Sequence, residues 1–472
     1  MKSLILRVDL RLLPLTLVLI YFLATLTLFF FGPLDWPVPD PVPLSLFLAL
    51  ALVGIATFYL FGAGGEALGT PFLYWKVVIV VGALLSIAIL FPSAYFYANK
   101  MPWQVIDAFR DQNAVYAALQ KKLAETAGER TVISIIRAVT FPAIFAVVPL
   151  GILNWRMMTW KLWLLVLATA LSSVIFSVLR GTDREVFDVI IIVCASIMVL
   201  IARWCVATGA TLSKVLVRRS TVIGAIAFLV VAGIALSLFA DRRAQRTGYT
   251  PEAYANGTRD APSLAGHLNT PGGWNDVMCI REICLDPDHP LVRYVDVPKK
   301  YAVLMLTSYL TQGYYGLSLA MTQDFHSTLG LGHSPVLART VERLMHDNSI
   351  YERGYTFRLR SLGWSDESQW ATIFPWLAND VGFPGAIAVI CLLAFLWGRS
   401  WLDAVGGHDD RAAIVFCLLF QLFVYVPANN QLAQTFDGYL TLVGWCAYWL
   451  VSRAFDKQRE INPTASPARS SV

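Results

Sequence analysis

Charge is scarce in this chain. Only 15% of its 472 residues are Asp, Glu, Lys or Arg, against about 25% in soluble domains. Hydrophobic residues make up 57%, and the mean hydropathy is +0.58. These figures exclude a water-soluble enzyme, a disordered chain and a coiled coil. Nucleotide-binding signatures are missing too: there is no GxxxxGK[ST] and no GxGxxG between a strand and a helix. HExxH and CxxC pairs are absent as well, so no metal and no cofactor is expected, and any energy source must arrive with the substrate. The formal net charge of +5 does not point to nucleic acid, because in so apolar a chain the excess Lys and Arg belong on short cytoplasmic loops.

What the sequence has is long apolar runs. A membrane-spanning helix needs about 20 apolar residues, and runs of that kind lie at 12–31, 43–63, 76–97, 131–153, 161–179, 186–204, 221–240, 381–398, 411–428 and 436–453. They predict an all-α polytopic membrane protein of about ten transmembrane helices. The first run is too long for a signal-peptide core, and no small-residue cleavage site follows it, so it reads as a retained anchor. With a cytoplasmic N-terminus, Lys2, Arg7, Arg11, Arg156, Lys161, Lys214, Arg399, Arg411, Arg453 and Lys457 fall on one side. That bias places both termini in the cytoplasm and the working surface outside.

The expected organisation is a seven-helix N-terminal bundle (1–240), a large periplasmic loop (241–380), three C-terminal helices (381–455) and a disordered cytoplasmic tail (456–472). Within the loop, VPKKYAVLMLTSYLTQGYYGLSLAM (297–321) nearly reaches span hydropathy. Its Gln312, Gly313 and Gly316 argue instead for an interfacial or re-entrant helix. Five of seven cysteines fall in or beside spans, where they serve as small apolar residues. Cys279 and Cys284 fall in the loop and are expected to pair if that side is oxidising. DPD (286–288) reads as a turn.

Ionisable residues at bilayer depth mark candidate sites. Arg137 lies inside the outer end of the fourth run; Arg180 ends the fifth and Arg184 starts the sixth, within SVLRGTDREVFD. Topology brings all three to one outward level, where guanidinium groups can fork onto phosphate oxygens. The plainer alternative is that they snorkel to headgroups or pair with Asp183, Glu185 and Asp188. A second informative stretch begins at GLGHSPVL, which carries His333 between residues that let a substrate approach the backbone. It continues to SLGWSDESQWATIFPWLANDVGFPG, with Asp366, Glu367, Trp370, Thr372, Trp376 and Asp380. The tryptophans suit an interfacial belt or carbohydrate stacking.

These residues resemble a known family, the bacterial O-antigen and exopolysaccharide repeat-unit polymerases (Wzy-like), within the superfamily that also holds the O-antigen ligases. The resemblance lies in RGTDRE before an apolar helix, in YYGLSLAM followed by GLGHS, and in the run Thr372, Leu377, Asp380, Gly382, Gly385. It extends through the many-helix layout with one large outer loop. Ligases of the superfamily carry a His-Asn pair where this chain has Ala371 and Thr372, a departure that favours the polymerase. The resemblance implies a glycosyltransferase of the bacterial inner membrane with its active site facing the periplasm. Its donor and acceptor are undecaprenyl-diphosphate-linked oligosaccharides, and a chain-length regulator and repeat-unit flippase are implied partners. Arg180, Arg184 and Arg137 would neutralise the leaving diphosphate. Glu367 or His333 would act as base, with Asp183, Glu185, Thr372, Trp370 and Asp380 binding substrate. Three alternatives stand beside it: an O-antigen ligase, a polyprenyl-monophosphate-sugar transferase using Asp35 and Asp40 with a metal, and a carrier of lipid-linked glycans.

Overall fold

The computed structural model describes residues 6–110, 115, 130–216, 233, 279–280, 283–295, 297–346, 349–365 and 369–461. The expected span at 221–240 (apart from residue 233), Glu367 and residues 462–472 lie outside the described residues. The major helices are α1 (Val8–Phe31), α2 (Pro41–Gly62), α3 (Trp75–Ser93), α4 (Arg130–Leu153), α5 (Trp160–Arg180) and α6 (Arg184–Thr208). They are followed by α7 (Val297–Met321), α8 (Pro335–Met345), α9 (Ile373–Gly406), α10 (Asp410–Tyr425) and α11 (Phe436–Ile461). Seven of them, α1 to α6 and α9, are long and apolar enough to cross a membrane. The chain is a helical, multi-pass membrane protein. The ninth and tenth expected spans coincide with α10 and α11, which are not among those seven. The last helix runs on to Ile461, past the expected boundary at 455.

Local chemistry explains the breaks. Proline cannot extend a helix that needs its N–H, so WPVPDPVP separates α1 from α2. Asp40 then caps the second helix by accepting from the Val42 N–H at 3.3 Å. Helix α10 is only 16 residues long, and every residue from Asp410 to Phe423 is buried. A helix apolar all round belongs in a core, and α1, α4, α6, α9 and α11 surround it.

Helices α2 and α9 approach backbone to backbone. A methyl added to Gly398 would run into the carbonyl oxygen of Tyr59, and one added to Gly62 into that of Phe395. Small residues permit such backbone approach where lipid offers no hydrophobic drive to association. The chain end of α9 and its neighbours carry buried ion pairs: Arg453 with Asp403 at 2.6 Å, Arg203 with Asp410 at 2.7 Å, and Arg411 with Asp409 at 2.8 Å and Asp456 at 3.1 Å. Asn154 at the end of α4 donates to Asp410 at 3.1 Å. One end of the bundle is therefore tied shut by charge.

Helix α7 is continuous and lies against the second half of α1. The Tyr314 hydroxyl meets Thr25 Oγ1 at 2.8 Å, and the Gly313 carbonyl accepts from the Thr372 N–H at 3.1 Å. Before it, β1 (Cys279–Ile280) and β2 (Ile283–Cys284) form a minimal antiparallel hairpin in which Cys279 is the register partner of Cys284. Cys284 is disulfide-bonded, and Cys194, Cys205, Cys391, Cys417 and Cys446 are free. The DPD sequence forms a turn in which Asp286 accepts from the Asp288 N–H at 3.0 Å. Helix α9 bends at Gly382, whose φ of 68° and ψ of 172° interrupt it. Such a conformation is tolerated by glycine alone without strain.

Because overpacking a tight crossing costs about 1–3 kcal/mol, Gly398→Ala is expected to lower the thermal unfolding midpoint in detergent micelles. An unchanged midpoint would show that α2 and α9 can separate freely.

Candidate functional site

The hairpin RGTDRE owes its shape to Gly181, which closes α5 at a φ of 64°. The Ser177 hydroxyl donates to the Thr182 carbonyl at 2.6 Å. This tight reversal leaves Arg180 at the end of one helix and Arg184 at the start of the next. Arg137 joins them from α4, about two turns into that helix. All three line one cavity of about 1170 Å³ of empty space, its open mouth included.

Each guanidinium has a carboxylate partner. Arg137 pairs with Asp437 at 2.8 Å, Arg180 with Glu185 at 2.5 Å, and Arg184 with Asp188 at 3.6 Å. Arg137 also donates to Ser93 Oγ at 3.2 Å, and Arg184 to the Gln431 carbonyl at 2.9 Å. Phe176, one turn before Arg180, is near two of the cations: its ring centre is 4.6 Å from Arg137 Cζ and 5.1 Å from Arg180 Cζ. Tyr97 faces the same pair at 5.9 and 5.7 Å. It is presented by a π-helical turn, Ala94–Ala98, that follows α3, a distortion common at functional positions. The Nε of Arg180 is buried with no hydrogen-bond partner. Native structures rarely leave such a donor unused, and Arg180 is one of the residues that line the cavity.

The cavity changes character with depth. Arginines and carboxylates stand at one level; farther along the helices the lining mixes Val148, Ile192 and Leu418 with Thr169, Ser172 and Ser173, whose hydroxyls donate to carbonyls of their own helix. Val148 is about 16 Å along α4 from Arg137, at 1.5 Å per residue. The lining therefore matches an amphiphile with an anionic head.

His333 lies nearby but does not line the cavity. Its Nδ1 is 2.8 Å from Asp380 Oδ2, and the same carboxylate accepts from the backbone N–H groups of Gly332 and His333, each at 2.9 Å, and from the Thr328 hydroxyl. A carboxylate can only accept, so a neutral His333 carries its proton on Nδ1 and leaves Nε2 as the acceptor. The Tyr439 hydroxyl stands 3.1 Å from that Nε2. Asn379 secures the loop by donating to the Gly332 carbonyl at 2.9 Å and accepting from the Tyr355 N–H at 2.7 Å.

The segment between α10 and α11 joins the two clusters. Asn430 donates to the His333 carbonyl at 2.6 Å, and Ser334 donates to the Ala433 carbonyl at 2.7 Å. Gln431, Asp437 and Tyr439 supply the contacts to Arg184, Arg137 and His333 given above.

Several expected residues thus converge and others do not. Arg137, Arg180, Arg184 and Glu185 share the cavity, and His333 and Asp380 form one unit. Asp183 is buried in the hairpin. Thr372 and Trp370 are not brought to the cavity: Thr372 is buried where α9 meets α7, and the Trp370 ring packs edge-on against Tyr309 at 4.8 Å. Asp40 serves as a helix cap. Among the described residues, no group of three or more His, Cys, Asp or Glu could hold a metal ion. Sequence reasoning missed Asp437, Tyr439, Phe176 and Tyr97. A usable signal was the polar density of ANNQLAQTFDG between two apolar runs; another was the four-residue spacing of Phe176 and Arg180, which puts them on one helix face.

The arrangement can seat an anion on guanidinium N–H groups, and the first turn of α11 links those groups to an oriented imidazole. Compared with protein-family models, curated proteins and solved structures, the chain matches none.

Removing one partner of a buried ion pair strands the other and costs about 3–5 kcal/mol. Asp437→Ala should therefore destabilise the protein more than the double variant Arg137→Met with Asp437→Leu. Thermal unfolding of both in detergent checks this, and equal losses would mean that the pair is solvated.

Proposed function

We propose that the chain is a membrane glycosyltransferase that polymerises diphosphate-lipid-linked oligosaccharide units at the periplasmic face of a bacterial inner membrane. The observation that carries this reading is the convergence of Arg137, Arg180 and Arg184 on one cavity that also runs over apolar side chains such as Leu90, Phe145 and Val148. A lipid diphosphate has the same division of character: a polyanionic head and a hydrocarbon tail.

In this scheme the donor diphosphate lies on the arginines and its lipid follows the apolar wall. The acceptor hydroxyl oxygen attacks the anomeric carbon of the donor sugar. The bond from that carbon to the diphosphate oxygen breaks, and its electron pair leaves with the diphosphate. Arginine N–H groups stabilise that growing charge, and they act strongly in a site of low dielectric. The hydroxyl proton passes to a base, for which His333, with its Nδ1 held by Asp380, and Glu367 are the candidates. Of these two, Glu367 lies outside the described residues. The ion pairs that close the opposite end of the bundle suit an enzyme entered from one side better than a carrier.

Purified protein in liposomes, given lipid-linked repeat units, should produce a ladder of polymer on a gel. Arg180→Ala and Arg184→Ala should each cut the yield about 100-fold, the scale of a lost transition-state donor. His333→Ala should cut it by at least about 100-fold, the scale of a lost general base. Wild-type ladders from both arginine variants would remove the central support.

A further inference from the structure

We infer that the first turn of α11 couples the two halves of this site, with Asp437 and Tyr439 as positioning residues that keep His333 capped until an anion occupies the arginine cavity. The inference rests on the reading under Proposed function and adds an order of events to it.

The two residues face opposite ways. At 3.6 residues per turn, positions two apart point about 200° from one another around a helix. Accordingly, Asp437 reaches Arg137 at 2.8 Å, while Tyr439 reaches His333 Nε2 at 3.1 Å. Since Asp380 takes the Nδ1 proton, the Tyr439 hydroxyl donates to Nε2 and occupies the lone pair that a base must use. Nε2 of a neutral His333 is thus capped.

Gly438, between them, lines the cavity. A methyl there would lie 2.5 Å from the Leu432 carbonyl oxygen, so the turn rests directly on the connecting loop. That loop also holds both sides, through Arg184 to the Gln431 carbonyl at 2.9 Å and Asn430 to the His333 carbonyl at 2.6 Å. Movement on one side is transmitted to the other through a few residues of continuous backbone.

Competition supplies the force. Asp437 accepts from Nε and Nη2 of Arg137 at 3.3 and 2.8 Å, which is the forked edge that phosphate oxygens prefer. A diphosphate that takes this edge displaces the carboxylate and repels it as a like charge. The first turn of α11 shifts with Asp437, Tyr439 withdraws, and Nε2 opens. Donor binding thus precedes base release, and a free hydroxyl or water meets an active base only when a donor is in place.

The test measures the reactivity of His333 toward diethyl pyrocarbonate, which acylates an open imidazole nitrogen. Peptide mass spectrometry follows it on the full chain in detergent micelles. Farnesyl diphosphate is the probe, and its binding is measured separately by equilibrium dialysis. In the wild type, saturating probe should raise the labelling rate of His333 about fivefold, the factor expected for losing one ordinary hydrogen bond. Tyr439→Phe should label at the fast rate without probe and show no further rise. Asp437→Asn should bind the probe and lose the response. If the probe binds the wild type and His333 labelling stays constant, the coupling is overturned and the transferase reading survives. If Tyr439→Phe labels slowly without probe, the capping role is overturned. If the probe does not bind at all, the coupling and the arginine seat fall together.

Discussion

A guanidinium group at membrane depth cannot remain alone. The cost of holding an uncompensated charge in low dielectric is several kcal/mol even after relaxation, so each arginine that α4, α5 and α6 carry into the bundle must bring a partner. Asp437, Glu185 and Asp188 are those partners, and meeting that requirement determines how the helix ends converge. Aromatic faces help: Phe176 and Tyr97 each stand within about 6 Å of both Arg137 and Arg180, and a ring quadrupole attracts a cation placed over its face. The result is a cavity whose positive groups are held in place before any ligand arrives, and pre-organised donors of this kind are what charge-stabilising catalysis requires.

The same constraint operates at the other end with the opposite outcome. There Arg203, Arg411 and Arg453 are paired across helix ends around a fully buried α10. The geometry closes around those pairs and leaves a tied base. At the arginine end, the helices splay around three cations, a π-helical turn and an unwound connection between α10 and α11. The bundle thus has one end tied by ion pairs and another where the arginine cavity lies.

Much of this was readable in the residues. Hydropathy identified the helices α1 to α6 and α9 because lipid demands continuous apolar length and leaves few other solutions. The helical segment 297–321 stood out by its Gln312 and glycines, and the grouping of Arg180 with Arg184 followed from a short hairpin. The partner of Arg137 was not readable, because Asp437 is 300 residues away in sequence. The His333–Asp380 contact depends on the bend at Gly382 and on a loop anchored by Asn379, neither of which leaves a periodic signature. Thr372 and Trp370 illustrate the converse: neither lines the cavity, and Thr372 is bonded instead to the Gly313 carbonyl of α7.

The sequence by itself determined that the chain lies in a membrane, where its helices run and which ionisable residues sit at a common level. These are properties of composition and local spacing, governed by transfer of side chains from water to hydrocarbon. Tertiary structure alone decided which carboxylate answers which arginine, that one imidazole is oriented by Asp380 and capped by Tyr439, and that a single turn of α11 touches both clusters. Those depend on the meeting of segments distant in the chain, and only packed helices bring such groups within hydrogen-bond reach.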